Sequence, residues 1–169
     1  MACSNGAGPA RRIIVVGGVA GGASAAARAR RLDETAEIVL LERGPHVSFA
    51  NCGLPYYVGG EITDRWRLLV ATPERFREWF DVDVRTGHEV MSIDPAARTL
   101  RVRHAGGEDV LAWDRLVLAP GAAPVVPRLA GVGAPNVFTV RDLRDGDRLK
   151  AAVERPGVGH AVIVGAGYI

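Results

Sequence analysis

Ile13-Ile14-Val15-Val16-Gly17-Gly18-Val19-Ala20-Gly21-Gly22 decides how the rest of this chain is read. The first four residues are all β-branched, with no polar alternation, which suits a parallel strand buried on both faces. After the glycines, Ala23 to Leu32 is rich in alanine and arginine and predicts a helix. Glu37-Ile38-Val39-Leu40-Leu41 then reads as a second strand, ending at Glu42. Strand, glycine-rich turn, helix, strand and acid make up a dinucleotide-binding βαβ unit. Glycines permit the tight turn and the close approach of backbone to a pyrophosphate, and the helix start supplies N–H groups and a favourable dipole. The acid is placed for ribose hydroxyls; here it stands 25 residues after Gly17, slightly long but workable. In the G-x-G-x-x-G frame Gly17 and Gly22 take the first and third places, and Val19 stands at the second. The competing reading is a glycine-rich turn in an ordinary α/β protein; the two strands, the helix and the acid together weigh against it.

Downstream lies Ser48-Phe49-Ala50-Asn51-Cys52-Gly53-Leu54-Pro55-Tyr56-Tyr57-Val58-Gly59-Gly60. Gly53, Leu54 and Pro55 read as a first helical turn. That places the Cys52 thiol near unpaired N–H groups and the positive end of a helix dipole, a setting that suits a reactive sulfur. The competing reading is a buried, inert cysteine.

Composition narrows the classes. The chain has 169 residues, 48% of them apolar and 24% charged, as expected of a globular protein with one medium core. A formal charge of +2 gives no argument for nucleic acid. Lys150 is the single lysine, so the basic side is nearly all arginine. No apolar run approaches the ~20 residues that span a bilayer. Met1 to Pro9 lacks the apolar stretch of a signal peptide, and residues 1–11 are expected to be a disordered tail, with Cys3 incidental. Two cysteines make no disulfide framework, so a reducing, cytoplasmic setting is expected.

Thr72-Pro73-Glu74 starts a helix, with threonine as N-cap and proline at N1. It runs Pro73 to Phe80 and is expected to pack through Phe76, Trp79 and Phe80. Short strands follow at Val82–Arg85, Glu89–Ile93, Leu100–His104, Val110–Trp113 and Arg115–Leu118, with turns at Asp94-Pro95 and Ala105-Gly106-Gly107. The middle ones read as a β-meander set in or on the parallel sheet. His46, His88, His104 and His160 stand isolated, with no metal-ligand spacing. Pro124 to Pro135 reads as a linker, and Arg141 to Arg155 as a charged helix. His160-Ala161-Val162-Ile163-Val164 repeats the buried-strand pattern, and Gly165-Ala166-Gly167 opens a second glycine-rich turn at which the sequence stops. The expectation is an N-terminal fragment of a protein with two dinucleotide sites.

Two such turns, with a cysteine segment shortly after the first acid, resemble the FAD- and NAD(P)H-dependent pyridine nucleotide-disulfide oxidoreductases. Within them, Val16–Arg31 and Ser48–Gly60 are similar to coenzyme A-disulfide reductases and their persulfide-reducing relatives, a branch that also lacks the middle glycine. The implied architecture is α/β. A Rossmann-like FAD-binding domain with an inserted meander spans 12–124, and residues 125–169 hold a linker and the truncated start of a second Rossmann-like domain for NADH or NADPH. The dithiol branch carries a second cysteine five residues after the first, where this chain has Tyr57. The resemblance therefore implies a single-thiol cycle: electrons pass from NAD(P)H through FAD to Cys52, held as a mixed disulfide with coenzyme A or as a sulfenic acid.

The resemblance also implies roles. Gly17, Gly18, Ala20, Gly21 and Gly22 would face the FAD pyrophosphate, and Glu42 with Arg43 the adenosine ribose. Val90, in His88-Glu89-Val90, would offer backbone to the adenine. Ala119-Pro120-Gly121 is similar to the family's Ala-Thr-Gly strand end by the flavin, with Pro120 in place of threonine. Gly165 and Gly167 would begin the NAD(P)H site. Ser24, Arg28, Arg31, Ser48 and Asn51 match coenzyme A-binding positions, although relatives have glutamine where Arg28 stands. Ser24, Arg28 and Arg31 also share one helix face by spacing; the competing reading there is a solvated cationic face. The implied assembly is a homodimer. Two other readings stay open: an NADH oxidase or peroxidase cycling Cys52 through sulfenic acid, and a nucleotide-binding module without turnover.

Overall fold

A computed structural model describes residues 10–165. They divide into two compact units, one of residues 10–50 and 69–122, the other of residues 51–68 and 123–165. Residues 51–68, which carry Cys52 and lie within the 12–124 segment expected from sequence, thus group with the later part of the chain.

The first unit is built on a four-stranded parallel sheet in the order β3-β2-β1-β7. Its strands are β1 (Arg12–Val16), β2 (Glu37–Glu42), β3 (Asp83–Thr86) and β7 (Arg115–Leu118). The apolar run of β1 and β2 has a period of two inside it. Val15, Ile38 and Leu40 face one way, into a core with Ala23 and Ala26 of helix α1 (Ala20–Leu32), Val47, and Phe76 of helix α3 (Pro73–Phe80). Ile14, Val39 and Leu41 face the other way, against Leu100 and Val102. These come from the antiparallel meander of β4 (Glu89–Asp94), β5 (Thr99–His104) and β6 (Gly107–Ala112), which covers the second face. Both faces of the parallel strands are covered, which is why their sequence shows no polar alternation.

Small residues let α1 lie close on the sheet. Arg30 on that helix is not a ligand-facing cation. Its Nε donates to Phe80 O at 2.9 Å, and its terminal nitrogens donate to Glu34 O at 2.7 Å and Asp81 O at 2.8 Å. It therefore satisfies carbonyls at the end of α3, where Asp81 takes a left-handed φ of 45°. Thr72 caps the start of α3, accepting from Arg75 N at 3.4 Å. Thr72→Ala is expected to cost about 0.5–1 kcal/mol, read as a lower urea midpoint with an unchanged slope. Phe76 is buried as expected, but Trp79 is 57% exposed and packs mainly against Phe80 and the Arg75 guanidinium. Its position on α3 points it off the sheet.

Three further expectations change. Val82–Arg85 lies one residue later as β3, and it joins the parallel sheet beside β2. Strand β6 begins at Gly107 rather than Val110, because Gly107, with φ of 134°, pairs with His104 and leaves only Ala105-Gly106 as the turn. His88 and His104 are not isolated. The Glu89–Arg103 pairing brings them side by side, and their rings stack at 4.9 Å and 17°.

In the second unit, α2 (Leu54–Val58) follows a 3-10 turn at Asn51–Gly53, and α4 (Leu143–Val153) realises the predicted charged helix. The strand predicted at His160–Val164 is absent. Val162, Ile163 and Val164 are 89, 87 and 80% exposed and pair with no strand among the described residues. A strand exists only by hydrogen-bonding a neighbour, and no described residue pairs with this stretch. Among the described residues no helix is long and apolar enough to cross a membrane.

Candidate functional site

The C-terminal ends of β1, β2 and β7 share one edge of the sheet. The chain leaves β1 towards β2 on one side and returns as β7 on the other. That change of direction is where open α/β sheets hold ligands, and here it brings Gly17, Glu42 and Ala119 together from three separate parts of the chain.

The turn after β1 is glycine by necessity. Gly17 has φ of 93° and donates its N–H to Leu41 O at 2.8 Å. A Cβ there would collide with Ala119 O, and one on Gly22 would collide with Gly17 O. At Gly18 a Cβ would come within 2.7 Å of Val47 Cγ1 and 2.8 Å of Leu40 Cδ2. Gly21 and Ala20 are exposed on the first turn of α1, and a Cβ on Gly21 would meet only Ala119 Cβ, at 3.5 Å. So Gly17, Gly18 and Gly22 serve the packing of the turn itself, while Ala20 and Gly21 present the open helix start.

That helix start is bare. No side chain caps α1, and its first turn carries no acid. Its unsatisfied N–H groups and dipole are free for an anion.

Glu42 does more than the sequence assigns to it. Its Oε2 accepts from Gly18 N at 2.8 Å and its Oε1 from Gly44 N at 2.7 Å. Each carboxylate oxygen keeps a second lone pair, so the side chain both braces the turn and retains acceptors for hydroxyls. Arg43 beside it is exposed. Val90, on β4, is half-buried against the second core, just before a register shift towards Ser92. Ala119 N donates to Val16 O at 2.8 Å, and Gly121 takes a φ of 72°, so Ala119-Pro120-Gly121 turns the chain away beside Gly17.

Ser24 and Arg28 are exposed on α1. Arg31 is exposed too, but its guanidinium lies 5.7 Å over the Phe80 ring. Ser48 has a left-handed φ of 46°, a costly conformation for a residue with a Cβ. It is held there by its N–H donating to Gly18 O at 2.8 Å and its carbonyl accepting from Val70 N at 2.8 Å. No sequence signal pointed to that strain.

In the second unit, Asn51 and Cys52 are exposed, and Cys52 is a free thiol. Gly53 precedes α2 as its N-cap rather than opening its first turn, and α2 has only five residues. Peptide dipoles add along a helix, so so short a helix carries little of the electrostatic argument made from sequence. Gly165 has φ of 101°; Gly167 lies outside the described residues.

A bare helix start, glycines with no room for a side chain and a braced acid with spare acceptors fit a bound dinucleotide. The chain belongs to the family described as pyridine nucleotide-disulphide oxidoreductase, which matches residues 11–169. Coenzyme A disulfide reductase of Staphylococcus haemolyticus is 40% identical over 161 residues, covering 94% of this chain and 36% of the relative. The crystal structure of reduced Bacillus anthracis CoADR-RHD is 49% identical with a TM-score of 0.82, over 85% of this chain and 26% of that one. A NAD-dependent persulfide reductase from A. fulgidus is 36% identical with a TM-score of 0.79, over 82% and 26%. The chain spans about a third of the length of the curated relatives it matches.

Proposed function

We propose that this chain forms the flavin- and thiol-bearing part of an NAD(P)H-dependent reductase acting on coenzyme A disulfide or a related disulfide or persulfide. The observation that carries the proposal is Cys52: exposed, unpaired, the one free cysteine among the described residues, and followed five residues later by Tyr57 rather than a second cysteine. With no second cysteine at Tyr57 to pair with, the Cys52 thiol would take its sulfur partner from outside.

FAD, when bound, supplies a two-electron reductant that NAD(P)H recharges. Ala20, Gly21 and the start of α1 would hold its pyrophosphate, on a turn whose tightness Gly17, Gly18 and Gly22 permit. Glu42 would accept from ribose hydroxyls through the lone pairs its backbone contacts leave free, with Arg43 beside it. Val90 and Ala119-Pro120-Gly121 would line its remaining length, and Gly165 with Gly167 would open the nicotinamide site. Ser24, Arg28, Arg31, Ser48 and Asn51 would meet the coenzyme A portion of the substrate, the two arginines facing its phosphates.

The Cys52 thiolate attacks one sulfur of the substrate disulfide. The S–S bond breaks, one thiol leaves with a proton, and Cys52 keeps the other half as a mixed disulfide. Two electrons and one proton then cleave that mixed disulfide, release the second thiol and restore the thiolate. The full-length enzyme is expected to be a cytoplasmic homodimer.

The test measures NAD(P)H oxidation by the full-length protein with coenzyme A disulfide, a small persulfide and oxygen offered separately. Turnover with the disulfide or persulfide at least tenfold above that with oxygen is expected. Oxygen as the preferred acceptor would turn the reading to an oxidase, and no turnover with any of them to a binding module.

A further inference from the structure

Cys52 rides on a short helical stretch whose anchor lies about 90 residues away in sequence. The 3-10 turn Asn51–Gly53 runs directly into α2, and Gly53 between them is helical at φ −81° and ψ −13°. Residues 51–58 therefore form one continuous helical stretch. A five-residue helix does not sustain itself in water; packing must hold it.

That packing comes from α4. Leu54 and Tyr57 are buried. A Cβ on Gly146 of α4 would lie 2.9 Å from Leu54 Cδ2 and 3.7 Å from Tyr57 Cδ1, so the helices meet where α4 has no side chain. Polar groups close around this contact. The Tyr57 hydroxyl donates to Asp147 Oδ1 at 3.1 Å. Arg65 Nε donates to the same carboxylate, 3.0 Å from Oδ1 and 2.9 Å from Oδ2. Lys150 Nζ donates to Tyr57 O at 3.1 Å, a carbonyl at the end of α2 that also accepts from Gly60 N at 3.2 Å. The same ammonium lies 5.2 Å over the Tyr57 ring and pairs with Glu154 at 2.9 Å. Burial, and after it the Asp147 carboxylate, raises the Tyr57 phenol above its ordinary value. The hydroxyl therefore remains a donor across the neutral range.

We propose that Asp147 is a positioning residue for Cys52: together with Tyr57, Arg65 and Lys150 it clamps the 51–58 stretch onto α4 and fixes how the thiol is presented to the disulfide. The inference rests on the reductase reading for its catalytic consequence, and on the geometry alone for the clamp. Sequence offers no sign of it, because Asp147 reads as one of several charges on a solvated helix.

The experiment uses the full-length holoprotein and the variants Asp147→Ala, Asp147→Asn and Tyr57→Phe. Amide hydrogen exchange over residues 51–58 is expected to speed up at least tenfold in Asp147→Ala, with flavin content per chain unchanged. With coenzyme A disulfide as substrate, kcat is expected to fall at least tenfold while KM stays within twofold. Asp147→Asn, which keeps an oxygen acceptor, is expected to recover most of the rate, and Tyr57→Phe, which loses one hydrogen bond, to fall between. Unchanged exchange in Asp147→Ala overturns the clamp whatever the enzyme's substrate. Faster exchange with kcat within twofold of wild type overturns the positioning role. A loss confined to KM or to flavin content also counts against it. A wild-type protein that does not reduce the disulfide at all refutes the reductase reading instead, and leaves the exchange result to judge the clamp.

Discussion

Cys52→Ser in the full-length protein is expected to abolish disulfide reduction while leaving the bound flavin unchanged. The substitution is nearly isosteric, and Cys52 is exposed and belongs to neither core, so stability should move by no more than about 0.5 kcal/mol. Cys52 is not among the residues proposed to hold the flavin, so flavin content per chain should match wild type. Serine cannot form a mixed disulfide. The attack and the electron transfer both need the sulfur, so turnover should fall by on the order of 10³-fold or more, about 4 kcal/mol at the barrier. The assay pairs the visible flavin spectrum with NAD(P)H-dependent release of thiol from coenzyme A disulfide. Turnover close to wild type in the serine variant would rule out the single-thiol mechanism.

Gly22→Ala should act on the fold instead. The added methyl would run into Gly17 O and approach Val15 Cγ1 at 3.1 Å. The first is backbone of the turn, and the second is a core side chain of β1. Neither can yield without lifting α1 off the sheet, where Ala23 and Ala26 pack with Val15. The expected cost is about 3 kcal/mol or more, despite alanine's better helix propensity. Gly21→Ala is the control. Its methyl would make only an ordinary contact with Ala119 Cβ at 3.5 Å, so the folded state should survive and gain up to about 1 kcal/mol from propensity. Urea unfolding of the two variants separates the cases. Equal midpoints for both would mean that the Gly17–Gly22 approach is not what requires glycine.

Much of this was legible from residue order. The β-branched run of β1, the glycines and Glu42 predict the strand, turn, helix and second strand; β2 forms where that pattern puts it, while α1 begins at Ala20, three residues before the predicted Ala23. Thr72-Pro73-Glu74 predicts the start of α3 to the residue. These signals are local: propensity, capping and period act within one element. The second strand at His160–Val164 carried the same local signal as β1 yet stays unpaired among the described residues, because a strand also needs a neighbour. Trp79 was misplaced for a related reason, since helical spacing names a face but not what lies opposite it.

The candidate site divides the same way. Sequence alone determined the dinucleotide unit, the acid that follows it and the Cys52 thiol before α2, since each rests on residues close together in the chain. Tertiary structure decided the rest. It showed that Gly17 and Gly22 are glycine because backbone from Ala119 and Gly17 crowds them. It gave Glu42 a second task, bracing Gly18 and Gly44. It put Ser48 in a left-handed conformation and joined Tyr57 to Asp147 across the second unit. Those facts depend on which distant segments meet, and that is set by how the sheet and helices bury their apolar faces, not by any neighbour in sequence.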